Sequence, residues 1–381
     1  MSNLKVLNIQ NLNIFLISVL PVGLVFGSLI SNSIIIIICI FFILELFIKK
    51  NLFYLNKKNF YFLIIINLYI LLNSFFLSEN NESIIKSLGF FRFIMLAYAI
   101  SYYFDKSDDY ILKMWSLFFL IVSFDIIFEY TFGKNIFGFE SLYDGRLSSF
   151  TSDEYKIGGY YFGFIFLCLL YLRQQKDFLF LIFAICFLLI SLLIGERSNF
   201  IKVLIMVILF TFFFERRLFK FKVILFSLFF ISIFLIIYTN DQYKRRFVSQ
   251  FINQYLENPV QNIFNSEHGG HYLTALKVYN NNKVFGVGIR NYSNEIKKKE
   301  YKAYFYYNSK DPSTHPHQIH FEFLAELGLF GYFSFIIFMI FHFYKFIKKK
   351  NFNDNLSLSG LLFIFTSLLP LLPSGSFFTS H

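Results

Sequence analysis

Repeated apolar runs of membrane-spanning length constrain this chain more than any other feature. Of its 381 residues, 56% are hydrophobic and 15% are charged, whereas a soluble domain carries roughly 25% charged residues. Windows long enough to cross a bilayer as helices lie at residues 12–30, 32–48, 60–77, 84–104, 110–131, 157–172, 177–194, 199–214, 222–238, 326–345 and 357–378. The sequence therefore predicts an all-α polytopic membrane protein with about eleven transmembrane helices.

The distribution of lysine and arginine predicts how these helices are oriented. Short cytoplasmic loops are enriched in basic residues. The loops after the second, sixth, eighth and tenth predicted spans are basic, and all fall on one side if the N-terminus is cytoplasmic. We therefore expect residues 1–238 to form nine transmembrane helices with short loops, residues 239–325 a large helical loop outside the membrane, and residues 326–381 the last two helices.

The long outward loop is rich in basic residues, which outnumber its acidic ones. Basic residues at an outer membrane surface favour an anionic partner, and phosphate or lipid headgroups fit that surface better than nucleic acid. For the run Lys297 to Lys299, a solvated surface is the plainer interpretation. Further along, a helix is expected to end near Asn280 to Asn282, before a tight glycine turn at residues 286–288.

Two arginines in outward segments are candidates for phosphate binding. Arg197 lies beside Glu196 in a very short turn between two apolar spans. A guanidinium near membrane depth is costly unless it reaches the interface, pairs or binds an anion, so pairing with Glu196 or a headgroup is one explanation and phosphate binding is the other. Arg146 lies in an outward loop rich in small polar residues. Guanidinium groups bind phosphate through two parallel hydrogen bonds, although a structural role would also explain this arginine.

Histidines 315, 317 and 320 occur where the long loop re-enters the membrane. Pro316 suits the first position of a helix, which predicts that His317 lies in the first turn of the helix entering the tenth span. The positive end of that helix would keep the imidazole neutral, so His317 is a candidate general base. A surface or capping histidine is the alternative. Helical spacing brings His317 and His320 together but places Glu322 on another face, so we expect no metal site.

The pattern around these histidines resembles the O-antigen ligase and polymerase family of polytopic glycosyltransferases. The resemblance covers roughly residues 145–378 and is closest from His315 to Gly331, where His315-Pro316-His317-Gln318 is followed by Glu322 and by Glu326 to Gly331. Three further segments resemble family segments and occur in the same order: Gly145-Arg146 to Tyr160, Glu196-Arg197-Ser198, and Ala275-Leu276 through Gly288.

The resemblance implies a donor glycan linked to undecaprenyl diphosphate and an acceptor sugar hydroxyl at the periplasmic face of the bacterial inner membrane. By similarity, Arg197 and Arg146 would bind the diphosphate and His317 would take the proton from the acceptor. Glu322 would orient the histidine region or pack against the external loop rather than act itself, and no metal or other cofactor is expected. Membrane lipids are the remaining expected partners.

The chain departs from the family pattern at several positions. Gln318 stands where asparagine is usual, and Glu196 stands where serine is usual. His268 or His271 occupies the place where ligases often carry an arginine, and Arg245, Arg246 and Arg290 are candidate substitutes. The segment 370–378 resembles a motif that other members follow with more chain, which allows for a truncation before a twelfth span.

Three functions remain open from the sequence. A polymerase would transfer the glycan to another lipid-linked repeat unit, and a ligase would transfer it to a sugar of the lipid A-core; His268 and His271 favour the polymerase slightly. A polysaccharide transporter or flippase with no chemistry is the alternative from another class. Asp125 and Glu129 lie on one helical face of the fifth span, where they would line a polar path or be buried near its outer end.

Overall fold

Most of the chain that the computed structural model describes is helical. The structure describes residues 2–78, 81–142, 145–151, 156–175, 177–214, 219–250, 266–304, 313–348, 355–370 and 372–378, and no strand occurs in these ranges. This agrees with the predicted all-α class. A helix suits a chain in lipid because it satisfies the backbone N–H and C=O groups within one segment.

The longer helices follow one another in a simple order. They are α1 (Ser2–Phe26), α2 (Ser28–Ile48), α3 (Lys58–Leu77), α4 (Asn81–Phe132), α5 (Ile157–Gln175), α6 (Asp177–Leu193), α7 (Arg197–Ile208), α8 (Phe219–Thr239), α9 (Glu267–Asn281), α10 (Ile319–Lys348) and α11 (Asn355–Ser367). One-turn helices lie at Asp241–Lys244 and Tyr292–Glu295. The helix α9 ends at Asn281, as the sequence predicts.

Seven of the described helices are long and apolar enough to cross a membrane, namely α1 from Asn8 onward, α2, α3, α4, α5, α8 and α10. The apolar parts of α6 and α11 are shorter. The 52-residue α4 covers two predicted spans, and its helical geometry is broken at Ser107 between them. Each predicted span overlaps a described helix, but the count of eleven membrane crossings and the periplasmic position of the long loop stay predictions.

The helix α4 takes part in two apolar cores. One core joins α4 to α1 and α2, and there the indole Nε1 of Trp115 donates to Ile17 O at 2.8 Å. The other joins α4 to α5, α6 and α7, and there the rings of Phe119 and Tyr161 lie 4.5 Å apart. By contrast, α8 exposes large apolar side chains such as Phe234, and such a surface suits a lipid environment.

The helix α10 is broken at Gly328, where the backbone has φ 64° and ψ −168°. Backbone hydrogen bonds of 2.9 to 3.1 Å join residues 283–288 to residues 325–330 across this break. A Cβ at position 328 would overlap the carbonyl oxygen of Val284, so glycine is needed both for the angle and for the close approach. The predicted glycine turn at residues 286–288 therefore docks on the helix that follows the candidate base.

Candidate functional site

The turn between α6 and α7 brings the two predicted phosphate-binding arginines to one place. At its centre Gly195 has φ +78°, and a Cβ there would overlap the carbonyl oxygen of Gly145. The N–H of Leu147 donates at 3.1 Å to the carbonyl oxygen of the residue just before Gly195. Only glycine permits both this angle and this approach. Arg146 and Arg197 therefore flank the same crossing of two chain segments.

A third arginine reaches the same turn. Arg246, in the helical turn Arg245–Ser249, donates from Nε to Gly195 O at 2.5 Å. Burial, followed by the positive charges of Arg146 and Arg197, lowers the pKa of Arg246 to about 10. Like charges held together disfavour the charged state unless an opposite charge is near. These three residues, the arginine cluster, thus suit an anionic ligand.

Among the described residues, Glu196 is an acidic group beside the arginine cluster. Its carboxylate accepts from Gly158 N at 3.2 Å and from Asn199 Nδ2 at 2.6 Å. Burial raises the pKa of Glu196, while these two hydrogen bonds and the positive charges of Arg146 and Arg246 act in the opposite direction. Glu196 therefore bonds to groups of α5 and α7, and its carboxylate lies close enough to feel the positive charges of Arg146 and Arg246.

Two buried carboxylates of α4 hold the segment that follows Arg146. Asp125 accepts from Ser149 Oγ at 2.5 Å. Glu129 accepts from Ser148 N at 3.1 Å and from Ser149 N at 2.6 Å. Of the two interpretations that the sequence leaves for this pair, these bonds favour burial against the segment after Arg146 over a polar path.

Four histidines meet in a second group. His268 and His271 lie at the start of α9, whereas His315 and His317 precede α10. The centroid of the His317 ring is 5.6 Å from that of His268, 5.1 Å from that of His271 and 4.0 Å from that of His315. We call these residues the histidine cluster. The two histidines that stand where ligases often carry arginine thus lie beside the candidate base.

The predicted position of His317 in the first turn of α10 was wrong. The helix begins at Ile319, and His317 adopts a left-handed backbone conformation with φ 57°. The reason is Gln318, whose Oε1 accepts from the N–H groups of His320 and Phe321 at 2.8 and 3.1 Å and so caps the helix. A left-handed non-glycine residue is uncommon, and such residues cluster at functional sites.

The imidazole of His317 is held neutral, although not by the helix end. Burial lowers the pKa of His317 to about 3, together with the charges of His315, His271 and His268. The direction of the shift agrees with the predicted neutral imidazole, but its causes are burial and the neighbouring histidines. A neutral imidazole has a lone pair that can accept a proton.

His320 has partners of its own outside the histidine cluster. Its Nε2 lies 2.8 Å from Leu368 O, and its Nδ1 lies 3.2 Å from the hydroxyl of Tyr332. The helical spacing expected between His317 and His320 does not apply, since His317 precedes the helix. Within the described ranges, no group of three or more His, Cys, Asp or Glu residues is arranged to hold a metal ion. Metal independence stays a prediction.

The C-terminal segment, residues 372–378, holds the backbone of His317. Ser374 N donates to His317 O at 2.8 Å. The segment is fixed in turn by Glu322, which is fully buried and accepts from the hydroxyl of Ser376 and, at 2.9 Å, from Phe377 N. Glu322 thus holds one end of this short segment, and Ser374 near its other end bonds to His317. This arrangement is compatible with the supporting role that the family resemblance implies.

The same segment reaches towards the arginine cluster. Lys202 lies on α7, five residues after Arg197 and so about 8 Å along the helix axis. Its Nζ donates to Pro373 O at 3.0 Å, and the next residue, Ser374, bonds to His317. One short stretch of chain thus connects the helix that begins at Arg197 with the histidine cluster.

The other two candidate arginines lie elsewhere. The side chain of Arg245 is exposed. Arg290 has φ 59°, and its positive charge acts on the buried carboxylates of Glu322 and Glu326. Of the three candidate substitutes for a second phosphate-binding arginine, the structure therefore brings only Arg246 to Arg146 and Arg197.

Sequence reasoning missed two parts of this arrangement. Lys202 carried a usable signal, because a lysine within an apolar run is rare and marks a functional site by default. The contact between Ser374 and His317 carried none, because it joins two backbone groups that any residue pair provides.

Comparison with known proteins agrees with the resemblance seen in the sequence. Residues 182–336 match the family model described as O-Antigen ligase. The matched part contains Arg197, Arg246 and the whole histidine cluster, whereas Arg146 and the C-terminal segment lie outside it. No curated protein matches the chain. The match confirms the resemblance to an O-antigen ligase-like family.

Proposed function

We propose that this chain, with its O-antigen ligase-like segment at residues 182–336, moves a glycan from an undecaprenyl-diphosphate donor to an acceptor sugar hydroxyl. The family match supports a membrane enzyme that transfers glycans. The observation that carries the proposal is the connection from α7 through Lys202 and the C-terminal segment to His317. It relates an anion-binding cluster to an uncharged base, which are the two functions that this transfer needs.

The arginine cluster would bind the diphosphate of the donor. Guanidinium groups form paired hydrogen bonds with phosphate oxygens, and Arg246, which bonds to Gly195 O, is close enough to Arg146 and Arg197 to feel both of their charges. When the glycosidic bond breaks, negative charge grows on the leaving diphosphate. Donors that are already in place stabilise that charge without reorganising. In this proposal Arg246 supplies the additional arginine that the departures from the family pattern left open.

His317 would take the proton of the acceptor hydroxyl. The hydroxyl oxygen bonds to the anomeric carbon, the bond from that carbon to the phosphate oxygen breaks, and undecaprenyl diphosphate leaves with the electron pair. In the free protein the low pKa of His317 keeps its imidazole neutral. A bound diphosphate brings negative charge, which raises the pKa of a nearby imidazole. The base is therefore stronger when the donor is present.

The membrane placement belongs to the proposal as well. We place the chain in the bacterial inner membrane as a multi-pass protein with a cytoplasmic N-terminus and a periplasmic site. The seven long apolar helices support membrane insertion, and the basic loops support the orientation. Residues 239–325 would then form the periplasmic loop, which carries His268, His271 and His317.

The acceptor decides between two enzymes of the same chemistry. We favour a polymerase, in which the acceptor is another lipid-linked repeat unit, because His268 and His271 stand where ligases often carry arginine and lie against His317. Transfer to a lipid A-core sugar would make the chain a ligase. A transporter or flippase is not favoured, because Asp125 and Glu129, the intramembrane carboxylates on which it would rest, bond to the loop after Arg146.

Complementation in a host that lacks its own enzyme tests the proposal. We expect His317→Ala to abolish the surface glycan ladder while the protein level in the membrane is unchanged. His342→Ala is the matched control, because His342 lies far along α10 against Asn59, and it should keep the ladder. Retained single repeats would indicate a polymerase, and accumulated lipid-linked polymer with bare core would indicate a ligase. A normal ladder from His317→Ala would contradict the proposal.

A further inference from the structure

Asp125 and Glu129 form a buried pair that the reaction described above does not use. We propose that they are positioning residues, which fix Arg146 against Arg197 and Arg246 so that the arginine cluster is formed before the donor arrives. This inference rests on the proposed donor site. It assigns a role to two intramembrane carboxylates that neither the family match nor the reaction explains.

Glu129 binds two successive backbone N–H groups. Its Oε1 accepts from Ser148 N at 3.1 Å and its Oε2 from Ser149 N at 2.6 Å, and Ser149 has φ 49°. Glu129 is 1% exposed. A buried carboxylate is costly unless it is well hydrogen-bonded, and bonds to a charged group are the stronger kind. Glu129 therefore fixes the backbone two and three residues after Arg146.

Asp125 fixes the same loop at two further points. Its Oδ2 accepts from Ser149 Oγ at 2.5 Å and its Oδ1 from Ile136 N at 2.8 Å. Asn135 adds a bond from its Nδ2 to Ser149 O at 2.7 Å. The N–H, hydroxyl and carbonyl groups of Ser149 are thus all bonded to one small set of residues at the outer end of α4.

These anchors determine where Arg146 can lie. The two residues that flank Arg146 in the chain contact the turn of Gly195: Leu147 N bonds to Ile194 O, and Gly145 packs against Gly195. The next two residues, Ser148 and Ser149, are bonded to Glu129. Arg146 therefore belongs to a segment held between the turn of Gly195 and the end of α4, and little freedom remains for its backbone. Since ordering a charged side chain costs entropy, a pre-formed cluster binds an anion more tightly than a mobile one.

A double-mutant cycle with purified, membrane-reconstituted protein tests the inference. The variants are Glu129→Gln, Arg146→Ala and both together, and the probe is undecaprenyl diphosphate. The Gln amide keeps the size of Glu129 but has one oxygen acceptor in place of two. We expect Glu129→Gln to raise the Kd by about tenfold, within the range of coupling seen in one hydrogen-bond network. The double variant should bind no more weakly than Arg146→Ala alone.

Kinetics separate positioning from a loss of fold. Glu129→Gln should raise the KM for the donor and leave the KM for the acceptor unchanged. Glu45→Gln is the matched control, because Glu45 is also a fully buried glutamate but bonds to Tyr102, Tyr103 and Lys106 in the other core. It should lower the thermal stability and leave the Kd for undecaprenyl diphosphate unchanged. If Glu129→Gln fails to fold, Ser149→Ala removes only the hydroxyl bond to Asp125 and should raise the Kd in the same direction.

The outcomes distinguish this inference from the proposed function. If the wild-type protein neither binds undecaprenyl diphosphate nor transfers glycan, the proposed function is wrong, and so is the proposed donor site on which the positioning role depends. If the wild type is active but Glu129→Gln and Ser149→Ala have the same Kd for undecaprenyl diphosphate as the wild type, the positioning role is wrong. The proposed donor site is then unaffected. Full additivity of Glu129→Gln and Arg146→Ala would also overturn the positioning role.

Discussion

The backbone N–H of Ser374 donates to the carbonyl oxygen of His317 at 2.8 Å. This bond makes the C-terminal segment part of the candidate site, although the two residues are far apart in sequence. His317 has a left-handed backbone, and such a conformation persists only where its surroundings fix it. The position of the imidazole therefore depends on residues that lie outside the histidine cluster itself.

Glu322→Ala tests this dependence. The substitution leaves the Ser376 hydroxyl and Phe377 N without their acceptor, and each unsatisfied buried group costs about 1–3 kcal/mol. We expect a large fall in kcat with a smaller change in the donor KM, because His317 is displaced while the arginine cluster stays. Ser376→Ala, which removes one of the two bonds, should have a smaller effect in the same direction. Equal kcat values for Glu322→Ala and wild type would contradict the role of Glu322.

Gly195→Ala tests the crossing of the two segments that carry the arginines. A Cβ at this position would overlap Gly145 O, and the backbone has φ +78°. We expect a loss of stability of about 1–3 kcal/mol from the strained backbone, together with weaker donor binding as Arg146 moves away. Gly159→Ala is the control, because nothing lies within 4 Å of a Cβ there. Thermal unfolding and donor binding measure both effects, and identical results for the two variants would count against the crossing.

Arg246→Lys tests the third arginine. Lysine keeps the positive charge but cannot bond both Gly195 O and a phosphate through a planar fork. We therefore expect a several-fold rise in the donor KM together with a fall in kcat, because the arginine cluster also stabilises the charge that grows on the leaving diphosphate. Arg245→Ala, which alters the exposed neighbour, should behave as wild type. A normal donor KM for Arg246→Lys would show that charge alone suffices at this position.

The pH profile tests the state of His317. Because its pKa is lowered to about 3, below the unfolded value of about 6.5, the unfolded chain binds the proton more readily. This residue therefore leaves stability unchanged above about pH 6.5 and lowers it progressively as the pH falls from there towards 3. We expect that protonation of His317 causes no loss of kcat/KM near pH 6.5. In His315→Ala the pKa of His317 should rise, since a neighbouring charge is removed, and a kcat/KM profile with no shift of its acidic limb to higher pH would contradict this.

The fold class could be predicted from the sequence because apolar runs of membrane length leave few alternatives. The exact bounds of the spans could not be predicted, as α4 and the shorter α6 show. The break in α4 at Ser107 and the ends of the apolar helices depend on packing rather than on composition. Arg146 and Arg197 could be found from their unusual setting. Their proximity, and the choice of Arg246 over Arg245 and Arg290, depend on the crossing at Gly195, which no local pattern encodes.

The helix position predicted for His317 failed for a definable reason. Proline at position 316 suits a helix start, but it does not determine which residue caps the helix. The side chain of Gln318 bonds to the N–H groups of the first turn, and this competing cap moves the start to Ile319. The same glutamine is one of the departures from the family pattern.

The most direct test of the account is single-turnover transfer by the purified, membrane-reconstituted protein. The donor is an undecaprenyl-diphosphate-linked repeat unit, and the measurement follows the release of undecaprenyl diphosphate together with donor binding. For wild type we predict release coupled to a longer glycan. For His317→Ala we predict donor binding close to that of wild type and no release. Release by His317→Ala at the wild-type rate would contradict the assignment of His317 as the base.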